Sequence, residues 1–307
     1  MTSALSAPHL HNEEAAYAYV EARLWPKGPV CPRCSGTERV GKLQGKSTRI
    51  GVYKCYACRK PFTVKVGTIF EDSKIPLHVW LQAILLMAES KKGISTHQLQ
   101  RTLGVTIKTA WFLSQRIREG MREGELAPMG GEGSVVEIDE TFTGQRAGVQ
   151  MGRGGYSHKI PVLSLVDRST GKSRSFVIDK ANRECILPIV EQNIRRETYL
   201  MTDDANAYRG RFGDAFLGHS RVNHSAGQYG YGHIHTNTIE GFFSILKRGL
   251  RGVYQHCSER HLHRYLAEFD FRYSYRQANG YDDAARADQL LKGFAGKRLT
   301  YGRIGQA

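Results

Sequence analysis

The sequence predicts an α/β multi-domain chain, in which a cysteine-rich module, a small helical bundle and a mixed-sheet domain follow one another. Three observations carry that reading. Four of the six cysteines form two Cys-x-x-Cys pairs near the N-terminus. Apolar residues at helical spacing follow, with turns marked by Gly and Ser. Beyond a Gly-rich segment at 128–134, short alternating runs of β-branched residues end in acids. The modules are expected at 1–25 (a helix or arm), 26–72, 73–127, 134–276 and 277–307 (a basic tail). A chain of 307 residues has room for several cores.

In the first module, Cys31 and Cys34 flank Pro32-Arg33, and Cys55 and Cys58 flank Tyr56-Ala57; twenty residues separate the pairs. One such turn brings two thiolates onto a metal, and a second completes a tetrahedral Zn²⁺ shell. This is the spacing of a zinc ribbon, with residues 49–54 as one of its short strands. Four thiolates leave no open position, so the zinc is structural and needed for folding. Lys27, Arg33, Arg39, Lys42, Lys46, Arg49, Lys54, Arg59, Lys60 and Lys65 cluster around the knuckles, as a DNA contact or as a solvated basic face. Cys185 and Cys257 stand alone and read as small buried hydrophobes.

Residues 76–88 are apolar on most faces, as in a helix buried in a small bundle, and Lys91-Lys92-Gly93 follows it. Ser95 is placed to cap a second helix that stops at Gly104, and Thr106 begins a third. Helix, short Gly-containing turn and helix make a helix-turn-helix-like pattern, with Lys108, Gln115, Arg116 and Arg118 placed to reach DNA. Composition points the same way: 44 Lys and Arg against 29 Asp and Glu leave +15, the balance of a protein with a polyanionic partner. No run approaches the ~18 apolar residues of a membrane span. The opening residues lack the pattern of a signal peptide, so the expected location is the cytoplasm, at the nucleoid, with no membrane partner.

In the sheet domain, residues 135–142 alternate and carry Asp139 near their end. Strands are expected at 160–167 and 173–178, a helix over 182–195, and a strand at 199–204 ending in Asp203 and Asp204. This β-β-β-α-β order, with carboxylates at the tips of the first and fourth strands, is that of a ribonuclease-H-like core. A third acid, Glu240, lies on a helix that Thr236 or Asn237 can cap and Gly249 can close. Lys247 is two turns further along the same face, while Ile239, Phe242, Phe243 and Leu246 supply the buried side. Three gathered acids repel and raise each other's pKa, a penalty that a divalent cation removes. Hard oxygen ligands suit Mg²⁺ or Mn²⁺, two of which about 3.5–4 Å apart serve an in-line displacement at phosphorus. Lys247 then stands near a phosphate as a point charge. His224, His233 and His235 flank the site in sequence. Tyr265, Phe269, Phe271, Tyr273 and Tyr275 read as core of a closing helix, with Arg272 and Arg276 leaning on DNA. From Gln277 the tail is Gly-rich and basic, with Lys292, Lys297, Arg298 and Arg303, and is expected to be loosely ordered.

Taken together, these residues resemble the insertion-sequence transposases of the family numbered fifteen ninety-five, which join a zinc ribbon to an ISXO-two-like DDE transposase domain. The resemblance runs from Pro26 to Arg276. It rests on the cysteine pairs, Val66-Gly67-Thr68-Ile69-Phe70, Lys92-Gly93-Ile94-Ser95 and Glu137-Ile138-Asp139-Glu140-Thr141. Further on it rests on Thr202-Asp203, Val222-Asn223-His224-Ser225, the run from His235 to Glu240, Lys247-Arg248 and Tyr265-Leu266-Ala267-Glu268-Phe269. It implies a metal-dependent enzyme that binds the element's inverted repeats in double-stranded DNA, cuts them and joins them to target DNA, as a homo-oligomer assembled on DNA. Asp139 and Asp203 match the first two acids of the triad. Members carry either Glu or Asn at the third position, followed by Lys; here Glu240 and Asn237 both precede Lys247. Glu240 is favoured because an anion binds Mg²⁺ better than a neutral amide. Lys247 and Arg248 are the DNA contacts of this helix, and Glu140 and Asp204 are neighbours of the triad. Two other functions fit the pattern: a DNA-binding regulator with an inactive catalytic domain, and a nuclease that cuts without strand transfer.

Overall fold

The computed structural model describes residues 4–124, 127–152, 155–222 and 234–299. Its contacts divide the chain into two units. Met1–Ser90, Ile94–Arg122 and Tyr281–Ala307 form one, and Lys91–Gly93 and Glu123–Gly280 the other.

In the first unit, polar side chains set the helix starts. Asn12 caps α1 (Glu13–Leu24) by accepting from Ala15 N at 2.9 Å. Glu13 accepts from Leu77 N (2.8 Å) and His78 N (3.1 Å), so it caps α2 (Leu77–Glu89), which begins after Pro76. Ser95 caps α3 (Thr96–Leu103), which closes on Gly104 in the left-handed region (φ 64°); Thr106 caps α4 (Ile107–Met121). The cysteine region is a three-stranded antiparallel sheet of β1 (Val40–Lys42), β2 (Tyr53–Cys55) and β3 (Pro61–Phe62). β2 starts at Tyr53, later than expected, because Gly51 (φ 70°) still turns the chain in front of it. Trp25 packs edge-on against Tyr53 (5.4 Å) and Phe62 (5.8 Å) and gives this small sheet its apolar floor.

Two expectations are corrected here. Gln115, Arg116 and Arg118 do not project from α4 toward a ligand: all three are buried. The Arg116 guanidinium donates to the carbonyls of Ile69 (2.6 Å), Glu71 (2.7 Å) and Leu299 (3.1 Å), and Arg118 donates to Ser114 Oγ (3.2 Å). They share the inward stripe with Leu113, Ile117 and Met121, and a buried arginine cannot be told from a ligand-binding one by its position on a helix. The tail is not loose over its described part. A helix, Asp283–Lys292, buries Ala287, Leu290 and Leu291, and Phe294 packs edge-on against Phe70 at 5.3 Å. The basic and Gly residues around this apolar face concealed it. Arg303 lies outside the described residues. Among the described residues, no helix is long and apolar enough to cross a membrane.

The second unit is built on β4 (Val135–Thr143), β5 (Ile160–Asp167), β6 (Ser173–Val177), α5 (Arg183–Asn193), β7 (Tyr199–Asp203) and β8 (Gly218–Val222). The sheet order is β6-β5-β4-β7-β8; the two hairpin pairs are antiparallel, while β4-β7 and β7-β8 are parallel. One face packs Val136, Ile138, Leu163, Leu165 and Leu200 against Ile186 and Val190 of α5. The other packs Ile160, Val162 and Val166 against α6 (Asn237–Gly249) and α7 (Glu259–Ser274). A π-helical turn, Leu250–Tyr254, joins α6 toward α7. Arg272 is buried and ion-paired with Glu268, and Arg276 donates to the carbonyls of Gly171 (3.1 Å) and Tyr273 (2.9 Å). Both arginines are thus engaged within the fold, contrary to the expectation that they lean on DNA. Cys185 and Cys257 are only half-buried.

Candidate active site and metal centre

The four ribbon cysteines converge. Their sulfurs all lie within 4.8 Å of one another, with Cys31 Sγ and Cys58 Sγ 3.6 Å apart and Cys34 Sγ and Cys55 Sγ also 3.6 Å apart. Zn–S bonds of about 2.3 Å put tetrahedral sulfurs about 3.8 Å apart, so the set fits zinc without rearrangement. The Cys58 backbone N–H holds the Cys55 thiol down to about 7, toward the thiolate a metal needs. The β1-β2 register places Val40 opposite Cys55, so the second knuckle is anchored by the sheet.

In the second unit, strand register brings two acids side by side. β4 and β7 pair in parallel with Glu137 opposite Met201. Two residues further along each strand, past the last pair of that ladder, come Asp139 and Asp203. Alternation along β4 puts Glu137 and Asp139 on one face and Glu140 on the other. Burial first, and then the charges of Asp203, Glu140 and Glu240, push the Asp139 carboxyl well above the usual carboxylate range. Such a concentration of negative charge is what a hard divalent cation relieves, and oxygen donors are the ligands it prefers. On the opposite face the Tyr208 hydroxyl donates to Glu140 Oε2 at 2.5 Å. Burial and the Asp203 charge, opposed by that hydroxyl, push Glu140 up to about 7. Asp204 is engaged instead by Arg209 (3.0 Å) and Arg221 (3.1 Å).

Helix α6 supplies the other predicted residues. Glu240 is exposed, and its Oε1 accepts from Thr236 Oγ1 at 3.1 Å. Asn237 is exposed at the first position of the helix. Lys247 is half-buried, 5.9 Å from the Phe243 ring centroid, and Arg248 is exposed and folded back onto Ser244. Lys108 is exposed at the start of α4. His224 and His233 lie outside the described residues.

Beneath α6 lies a group of three residues, of which the sequence singled out His235 alone, as a neighbour of the site, and gave no role to Glu137 or Arg168. Glu137 is fully buried; its Oε1 accepts from Arg168 Nε at 2.5 Å and its Oε2 from the α6 backbone N–H of Ile239 at 2.8 Å. Arg168 also reaches His235, at its carbonyl and at ring Nδ1 (3.0 Å). The signal available in the sequence was an acid inside an apolar alternating run, at the same parity as Asp139.

The matches to known families fall on the same two regions, the mixed sheet with its strand-end acids and the four-cysteine ribbon, and both are transposase domains. Residues 130–274 match the ISXO2-like transposase domain, and residues 11–61 match the transposase zinc-ribbon domain. These are the two domains of the IS1595-type insertion-sequence transposases, and the chain belongs with them. A Halobacterium salinarum protein described as an uncharacterized protein in transposable element ISH50 is 28% identical over 267 residues, covering 81% of this chain and 86% of that one. Among solved structures, a chain of the Mos1 strand transfer complex matches 69% of this chain and 73% of its own at 13% identity and a TM-score of 0.30, too loose a likeness to argue from.

Proposed function

We propose that the protein is a DNA transposase that binds the ends of its element, cuts them and joins them to target DNA at a site formed by Asp139, Asp203 and Glu240. The observation that supports this reading is the β4-β7 register, from which Asp139 and Asp203 each lie two residues beyond the Glu137–Met201 pair, with the charges of Asp203 and Glu240 both acting on the Asp139 carboxyl. The sheet order β6-β5-β4-β7-β8, with β5 as the one reversed strand, supports a ribonuclease-H-like core. Asp139, Asp203 and Glu240 would hold Mg²⁺ or Mn²⁺, and Glu240 is preferred to Asn237 because it contributes to the field at Asp139. Bound there, a pair of such ions supplies Lewis-acid stabilisation of the attacking and leaving oxygens in an in-line displacement. Lys247, two turns beyond Glu240, offers a point charge to a neighbouring phosphate, with Arg248 beside it as a second phosphate contact.

End recognition falls to the zinc ribbon and to a helix-turn-helix formed by α3 and α4. With Gln115, Arg116 and Arg118 buried, the exposed first turn of α4, Ile107 and Lys108, takes the part of the groove-reading segment. Gln98 and Arg101 are exposed on α3 and extend that surface. Holding two ends at once calls for more than one copy of the chain on the DNA.

The test is incubation of purified protein with Mg²⁺ or Mn²⁺ and labelled DNA carrying the element ends. Metal-dependent cleavage and joining are expected, and are expected to vanish in Asp139→Ala, Asp203→Ala and Glu240→Ala. Loss with Asn237→Ala but not with Glu240→Ala would move the third ligand to the asparagine. Tight end binding with no cleavage in either metal would overturn the reading in favour of a DNA-binding regulator.

A further inference from the structure

We propose that Glu137, Arg168 and His235 form a positioning latch that fixes helix α6, and with it Glu240, against the strand that carries Asp139. The inference rests on the reading of Asp139, Asp203 and Glu240 as a metal-binding set. Helix α6 begins at Asn237, and its N-cap residue, Thr236, makes no side-chain capping bond; the Thr236 hydroxyl donates instead to Glu240 at 3.1 Å. The missing cap comes from a strand far away in sequence, since Glu137 Oε2 accepts the Ile239 N–H at 2.8 Å. A carboxylate there also sits at the positive end of the helix dipole.

The other half of the latch is Arg168, just beyond β5. Its Nε donates to Glu137 Oε1 at 2.5 Å, and its terminal nitrogen holds the His235 carbonyl and lies 3.0 Å from the His235 ring. His235 immediately precedes the N-cap residue. One carboxylate-guanidinium pair thus grips both the first turn of α6 and the chain entering it. Its attachment points are the immediate neighbours of the site: Glu137 stands two residues before Asp139 on the same face of β4, and Ile239 directly precedes Glu240.

A buried ion pair is a poor source of stability, because desolvating both charges offsets most of their attraction. Apolar side chains of similar volume would serve a merely structural role as well. What they cannot do is fix the angle and register of a helix end, and groups that orient metal ligands are worth about 10–100-fold in metal affinity.

The experiment measures Mn²⁺ binding by the loss of the free-ion electron paramagnetic resonance signal, on zinc-loaded full-length protein. It compares wild type, Asp139→Ala, Asp203→Ala, Glu137→Gln, Arg168→Lys and the double variant Glu137→Leu with Arg168→Leu; thermal melts confirm that each is folded. Asp139→Ala and Asp203→Ala are expected to abolish binding. Glu137→Gln keeps an acceptor for Ile239 N–H and is expected to weaken Mn²⁺ least, while the folded double variant is expected to lose about 10–100-fold. A folded double variant that binds Mn²⁺ as wild type does would overturn the latch while leaving the site intact. Unchanged binding in both aspartate variants would overturn the site reading, and the latch with it.

Discussion

Asp270, on α7 beneath β6, accepts from Ser173 Oγ (2.9 Å), Ser175 Oγ (2.8 Å) and Ser175 N (2.8 Å). Three donors favour its ionised form, yet burial outweighs them and pushes its carboxyl up to about 7. The folded state therefore holds a proton that the unfolded state has released. From above the ordinary carboxylate range up to about 7, rising pH costs stability, by at most about 1.4 kcal/mol per pH unit for one group. Asp270→Asn is expected to remove this slope, so urea unfolding at about pH 5 and about pH 8 should separate the two proteins; parallel profiles would refute the assignment. The same accounting explains which site residues sequence alone can show. Asp139 and Asp203 stand out as candidates because an acid ending an apolar run needs a reason to be there. Glu137 is not, because its partners, Arg168 and the α6 N-terminus, come from elements that only the sheet register brings together. Arg116 and Arg118 misled for the converse reason: a guanidinium bonded to carbonyls or to a serine hydroxyl inside a core has the same letter as one that meets phosphate.

Helix α4 shows what this means for a whole element. Arg116 spans three backbone carbonyls, and Arg116→Ala would leave them without that donor, at a cost of about 3 kcal/mol in stability. Lys108→Ala, at the exposed end of the same helix, is expected to weaken end binding while leaving the thermal melt unchanged. If the two variants exchanged phenotypes, the helix would be inserted the other way round. The ribbon has its own dependence. β1, β2 and β3 are two or three residues long and bury little besides Trp25, Tyr53 and Phe62, so chelation of zinc is expected to unfold them. Titration with a thiol reagent checks this: the buried Cys31 and Cys55 should react only after the chelator is added. Elements with strong local signals were legible. Ser95, Gly104, Thr106 and Asn182 mark helix ends through side-chain and backbone chemistry that needs no tertiary context. β8 (Gly218–Val222) carries no apolar alternation and is a strand only because β7 offers it an edge. The Asp283–Lys292 helix was hidden by the basic and Gly residues that flank its apolar face of Ala287, Leu290 and Leu291.

At the scale of the whole molecule, the surplus of 44 basic over 29 acidic residues is the property on which the proposed binding to DNA most directly rests. Not all of that charge is available. Arg116, Arg118, Arg272 and Arg286 are buried, and Arg23 and Arg168 sit in short ion pairs with Asp288 and Glu137. The exposed remainder includes Arg33 and Arg49 on the ribbon, Lys108 on α4 and Arg248 on α6. Each phosphate that such a residue neutralises releases condensed counterions, so affinity for duplex DNA falls with a logarithmic slope of about 0.9 per contact. A chain using six or more of these residues should lose about a thousandfold or more in affinity between about 50 and about 200 mM salt. Arg33→Ala and Lys108→Ala should each flatten that slope by about one contact, on specific and non-specific duplexes alike. Salt-titrated binding of the two variants beside wild type measures the effect. An unchanged slope would mean that the charge serves solubility and that end recognition proceeds through neutral contacts.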